Sequence, residues 1–208
     1  VIWLTPQTAR REMAWLSAWI YRTAFVDLPE GTTQTPDRDQ ERSAYQSTLS
    51  LIGITGTNGK TTTSTLLADI LTNAEGDAGL IGTIETRGGR AKTRAAQMTT
   101  MESTYLHAHY RALVEAQVKR CVMEVSSIGI EEERVNASRY HRAAFLNLSA
   151  DHLDYHGDME RYGQAKLRLF SELLARDSLS VICVDEEGAS AEVATRAIEL
   201  VRAQGAEV

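Results

Sequence analysis

One run of the chain, Ile52-Gly53-Ile54-Thr55-Gly56-Thr57-Asn58-Gly59-Lys60-Thr61-Thr62, joins an apolar segment to a glycine-bearing turn and then to a helix-forming segment. Backbone N–H groups in such a turn, and at the start of the helix behind it, converge on one point and favour a polyphosphate. Gly56 and Gly59 let the backbone approach a ligand without side-chain obstruction. Lys60 is placed to reach the β- and γ-phosphates, and the Thr61 hydroxyl to bind a magnesium ion. The general pattern carries one more glycine where this chain has Ile54, so this is a shorter Gly-x-x-Gly-Lys-Thr form. A glycine turn with a surface lysine is the plainer alternative, and it fits the strand–turn–helix context poorly.

Further along, Glu124 ends an apolar run, and a carboxylate beside a triphosphate is a natural magnesium ligand. Tyr162, Lys166 and Phe170 are spaced four apart and share one helix face with Ala165 and Leu169. A lysine on such a face either snorkels to water or stays buried, where its pKa falls. His152 stands among Asp151, Asp154 and His156. Spacing alone leaves it a surface or hydrogen-bonded histidine, since magnesium prefers oxygen. Arg134 suits a carboxylate or phosphate through its planar fork, or answers the acidic run Glu131, Glu132 and Glu133.

Strands are predicted at 49–55, 80–85, 120–125, 142–148 and 179–184, and helices at 60–72, 102–117, 159–175 and 189–204. The stretch after Val125 reads as irregular. Alternation of this kind predicts an α/β fold of P-loop type, a mostly parallel sheet with helices on both faces. It is preceded by a helix at 6–25, with Met13, Leu16, Trp19 and Ile20 at helical spacing, and by a polar linker at 28–47.

A net charge of −6 without any basic run gives no electrostatic ground for nucleic acid or an anionic membrane. No apolar stretch is long enough to cross a bilayer, and the first residues do not resemble a signal peptide. Cys121 and Cys183 lie in short apolar runs and read as buried strand thiols, which fits a reducing cytoplasm.

The segment from Gly56 to Thr62 is also the form of phosphate loop that Mur ligases use. Further blocks follow in that family's order: Thr99-Thr100 before a helix, then Met123-Glu124-Val125-Ser126-Ser127 with Gly129 and Arg134-Val135. Asn147-Leu148-Ser149 and Asp151-His152-Leu153-Asp154-Tyr155-His156-Gly157 come next, with Tyr162 and Ala165-Lys166 downstream. Over residues 51–170 the chain therefore resembles the Mur ligase family. It looks most like the members that add the third residue of the peptidoglycan stem peptide to UDP-N-acetylmuramoyl-L-alanyl-D-glutamate.

The resemblance implies an ATP-dependent amide-bond ligase working through an acyl phosphate, monomeric and cytoplasmic, with ATP and Mg2+ required. Its substrates would be the UDP-muramoyl dipeptide and an amino acid. It implies that Gly56, Thr57, Asn58, Gly59, Lys60, Thr61 and Thr62 bind the nucleotide. Lys60, Glu124, His152 and Lys166 would be catalytic. Thr61, Glu124, His152 and Lys166, the last as a carbamate, would hold magnesium. Thr99, Thr100, Ser126 and Arg134 would contact the substrate. Residues 1–47 would be the end of an N-terminal substrate-binding domain plus linker. Residues 48–208 would be an incomplete ATP-binding central domain, with the C-terminal domain absent. The alternatives are another Mur or folylpolyglutamate-type ligase, or a nucleotide-binding fragment without catalysis of its own. Met101, Ile128 and Glu132 depart from the Pro, His and Gln usual in the family, which bears on substrate contacts.

Overall fold

Five of the six residues of β1 (Ser50–Thr55) are buried, because this strand lies in the interior of a sheet covered on both sides. The computed structural model describes residues 6–20, 49–88, 91–95, 98–185 and 187–208. The linker expected at 28–47 lies outside the described residues, as does the end of the first predicted helix. The other strands are β2 (Gly79–Ile81), β3 (Glu85–Gly88), β4 (Ala91–Ala95), β5 (Arg120–Glu124), β6 (Tyr140–Phe145) and β7 (Leu174–Ile182). Among the described residues they form one sheet in the order β4-β3-β2-β5-β1-β6-β7. Pairs from β2 through β7 are parallel, and β3 and β4 continue the sheet antiparallel.

The helices are α1 (Pro6–Ile20), α2 (Lys60–Glu75), α3 (Ser103–Glu115), α4 (Ser127–Glu131), α5 (Leu153–His156), α6 (Met159–Ser171) and α7 (Ala189–Ala203). Side chains alternate across a strand, so each strand serves two cores. Ile52, Ile54, Leu80 and Val122 pack with Ala68 and Leu71 of α2 on one face. Their neighbours Leu51, Ile81, Cys121 and Met123 pack on the other with Leu106 and Tyr110 of α3, Phe170 of α6 and Ala197 of α7. Each such large side chain contributes about 1.5–3 kcal/mol when fully buried. The expected mostly parallel sheet with helices on both faces is the fold observed.

Several local expectations need correction. The strand read at 80–85 stops at Ile81, and the chain turns back into the β3–β4 hairpin; Ile84, which extended the apolar run, is 70% exposed. The stretch read as irregular after Val125 contains α4, whose N-terminus is capped by the Ser126 hydroxyl accepting from Gly129 N–H at 3.0 Å. Helix α6 ends at Ser171, and β7 begins at Leu174 rather than 179. Cys183 is exposed, not buried, because β7 is an edge strand and Cys183 follows its end. On α1 the Met13 and Leu16 part of the predicted face is not the buried one. Met13 and Leu16 are half exposed, while Ala14 and Ser17 are buried. Small residues there let α1 approach α3 and Ala137 closely.

Candidate functional site

Strand β1 is flanked by β5 on one side and β6 on the other, all parallel. The loops leaving their carboxyl ends therefore meet at one edge of the sheet, where open α/β sheets bind ligands. Residues 56–59 follow β1, residues 125–126 follow β5, and residues 146–152 follow β6.

The sequence places a glycine turn before α2, and the structure has a turn there. Gly59 takes a left-handed conformation with φ of 85° and caps α2 without any side-chain cap. The first intrahelical bond is Thr63 N–H to Gly59 carbonyl at 2.9 Å. The N–H groups of Lys60, Thr61 and Thr62 thus stand at an uncapped positive helix end. Ile54 replaces the extra glycine because β1 runs on to Thr55, and Ile54 is wholly buried in the core. Lys60 Nζ donates to the carbonyls of Gly56 and Thr57, both at 2.8 Å. Burial lowers its pKa, and Glu124 and Asp151 oppose that shift.

Glu124 is 1% exposed. Its carboxylate accepts from the Thr61 hydroxyl at 2.9 Å, from Thr83 N–H at 2.8 Å and from the Thr83 hydroxyl at 3.0 Å. Thr83 was missed by sequence reasoning. The signal that could have found it is the Gly82-Thr83 pair directly after a buried strand. A Cβ on Gly82 would lie 2.5 Å from Glu124 Oε1, so only glycine lets the carboxylate sit there.

Lys166 is 1% exposed and donates from Nζ to the Gly56 carbonyl at 2.9 Å. The ammonium points into the protein, so this lysine does not snorkel. It lies 4.3 Å from the centre of the Tyr162 ring. Burial, and then the charge of Lys60, push its pKa down to about 7. The Tyr162 hydroxyl shares a 3.1 Å hydrogen bond with Thr57 Oγ1. His152 adopts φ of 51° at the start of α5, and its side chain is 47% exposed. Its Nε2 is 3.6 Å from Asp151 Oδ2, and its ring centre is 6.1 Å from that of Tyr162.

The Thr61 hydroxyl and the Glu124 carboxylate offer hard oxygen donors of the type magnesium takes. Among the described residues no cluster of three or more His, Cys, Asp or Glu could hold a metal alone. Such a partial shell fits a cation bound together with substrate phosphates rather than in a protein cage. The nitrogen of His152 is the weakest donor in the set for that ion.

The sequence profile of the Mur ligase middle domain matches residues 54–206. The chain belongs to the Mur ligase family. It is 50% identical over 129 residues to UDP-N-acetylmuramoyl-L-alanyl-D-glutamate--2,6-diaminopimelate ligase of Geobacter sulfurreducens, covering 62% of this chain and 25% of that protein. It is 44% identical over 138 residues to the ligase of the same name from Clostridium perfringens, covering 66% and 28%. The chain thus spans about a quarter of the length of these relatives. A solved structure of a ligase of this name superposes with a TM-score of 0.68 at 27% identity, over 95% of this chain and 35% of that one. Mycobacterium tuberculosis folylpolyglutamate synthase, solved in complex with ADP and AMPPCP, shares the fold with a TM-score of 0.59 at 16% identity, over 97% and 50% of the two chains.

In this Mur ligase chain the four expected substrate residues adjoin one another beside Glu124. Thr99 Oγ1 lies 3.1 Å from the Thr83 hydroxyl oxygen, within hydrogen-bond distance. Thr100 Oγ1 is 2.9 Å from Ser126 Oγ and accepts from Ser126 N–H at 3.0 Å. Arg134 donates to the Thr100 carbonyl at 3.0 Å, pairs with Glu132, and lies 3.1 Å from Glu102. Glu132, which replaces the family's Gln, is itself paired with Arg10 of α1 at 3.0 Å. Its negative charge is therefore compensated within the protein. Met101, another departure, packs against the core. His156 was not singled out from sequence; its Nε2 lies 2.9 Å from Ser127 Oγ and ties α5 to the start of α4. Burial lowers its pKa. No helix among the described residues is long and apolar enough to cross a membrane.

Proposed function

We propose that this Mur ligase chain is the ATP-binding part of an enzyme that joins an amino acid to the D-glutamate of UDP-N-acetylmuramoyl-L-alanyl-D-glutamate. The observation that carries the reading is the convergence on one sheet edge of Lys60, Lys166 and the Thr61–Glu124 pair around the Gly56 turn. The relatives at 44–50% identity act, by name, on 2,6-diaminopimelate, which supports that diamino acid as the one added.

In this reading the substrate's terminal carboxylate attacks the γ-phosphorus of ATP, and ADP leaves. The amine of the incoming amino acid then attacks the acyl phosphate, and phosphate leaves as the amide forms. Lys60 exchanges its loop carbonyls for phosphate oxygens and neutralises charge that develops during transfer. The N–H groups at the start of α2 orient the phosphates. Magnesium would be held by Thr61, Glu124, His152 and Lys166, the last as a carbamate, and would supply further charge neutralisation during the transfer. The neutral amine of Lys166, favoured by burial, adds to carbon dioxide and releases a proton to water, giving an anionic carbamate oxygen. Thr99, Thr100, Ser126 and Arg134 would hold the muramoyl dipeptide.

Calorimetry of ATP with magnesium on the 208-residue chain tests the nucleotide site, with Lys60→Ala beside the wild type. Binding by the wild type that is lost in the variant is expected; equal affinity in a folded variant rules the assignment out. Labelled bicarbonate with carbon NMR tests the carbamate, whose signal should vanish in Lys166→Met.

A further inference from the structure

Asn147 makes three contacts with the tip of the phosphate loop. Its backbone carbonyl accepts from Thr57 N–H at 3.0 Å, and its Oδ1 accepts from Asn58 N–H at 2.9 Å. Its Nδ2 donates back to the Asn58 carbonyl at 3.2 Å. The side-chain amide thus pairs with the Asn58 peptide as a neighbouring strand would. Two residues on, Ser149 N–H donates to Thr57 Oγ1 at 3.0 Å.

These bonds divide the donors of the loop. The N–H groups of Thr57 and Asn58 are turned toward Asn147, and those of Lys60, Thr61 and Thr62 remain at the open helix end. A phosphate loop works only if the right N–H groups face the ligand before it arrives. We infer that Asn147 is a positioning residue for the nucleotide: it holds the Asn58 peptide in the orientation that leaves the α2 N-terminus to the phosphates. It also couples the phosphate loop to the segment carrying Asp151 and His152. The inference rests on the nucleotide reading above and adds a residue that does not itself touch the ligand.

The test uses the 208-residue chain with ATP and magnesium, comparing wild type, Asn147→Ala and Asn147→Asp. Two lost hydrogen bonds should weaken ATP binding by about 10-fold in Asn147→Ala. Asn147→Asp keeps the acceptor for Asn58 N–H, loses the donor and adds negative charge, so its loss should be at least as large. AMP affinity should change less than ATP affinity, which a general loss of folding would not produce. Amide exchange gives a readout independent of ligand: Asn58 N–H should be protected in wild type and exchange faster in Asn147→Ala. ATP affinity equal to wild type in both variants overturns the inference, as does Asn58 protection unchanged in Asn147→Ala. A folded wild type that binds no ATP overturns instead the nucleotide reading itself, which separates the two failures.

Discussion

The ammonium groups of Lys60 and Lys166 donate to the same oxygen, the Gly56 carbonyl, at 2.8 and 2.9 Å. One lysine begins α2 and the other lies mid-way along α6, so the phosphate turn is the point where two helices deliver positive charge. Like charges at such range in a buried site disfavour each other. A bound polyphosphate would relieve this by drawing Lys60 away, and a neutral or carbamylated Lys166 would relieve it from the other side.

Lys166 should make stability depend on pH. Its folded pKa, near 7, lies below the ordinary lysine value of 10.5. Between those values the unfolded chain binds the extra proton, so stability rises with pH, by at most roughly 1.4 kcal/mol per pH unit. Below about pH 7 both states are protonated and the cost is constant. Lys166→Met should therefore be more stable than wild type at pH 7 in CO2-free buffer, and this advantage should shrink toward pH 10. Denaturant unfolding at a series of pH values checks it; an advantage that grows with pH would contradict the buried-amine account.

Glu124→Gln should retain the fold but weaken the magnesium dependence of ATP binding. An amide is nearly isosteric and keeps an acceptor for Thr83 N–H, yet it lacks the charge a hard cation needs. Calorimetry with and without magnesium should show the gap between the two conditions narrowing relative to wild type.

Gly82→Ala should act on Glu124 rather than on the backbone. The added Cβ would approach Oε1 to 2.5 Å, forcing the carboxylate off Thr61 and Thr83. A destabilisation of about 1–3 kcal/mol is expected from overpacking, with magnesium-dependent ATP binding falling as in Glu124→Gln. Thermal unfolding and calorimetry on one preparation would check both.

Glu132→Gln should loosen Arg134. The Glu132 and Arg134 side chains are only 17% and 15% exposed, so losing the carboxylate should cost about 1–3 kcal/mol, as for hydrogen bonds to charged groups. Stability should fall while affinity for the UDP-muramoyl dipeptide rises in the ligase, because the guanidinium then keeps only Glu102 as an internal carboxylate partner. Substrate affinity unchanged or reduced would argue against Arg134 as a substrate contact.

Much of this was legible in the residues themselves. The Gly56-to-Thr62 turn declares its conformation locally, since glycines and a Lys-Thr helix start act over a few residues. The helical period set Tyr162, Lys166 and Phe170 on one face, and all three are buried. Alternating strand and helix segments specified the parallel sheet with helices on both faces. What the tertiary structure decided concerns groups distant in sequence. The inward turn of the Lys166 ammonium, the hold of Thr83 on Glu124, the clasp of Asn147 on Asn58 and the pairing of Arg10 with Glu132 belong here. So do the errors: the β3–β4 hairpin, the exposed Cys183 and the small-residue face of α1. Each depends on which strand or helix becomes the neighbour, and residue spacing along one segment carries no record of the surface it will meet.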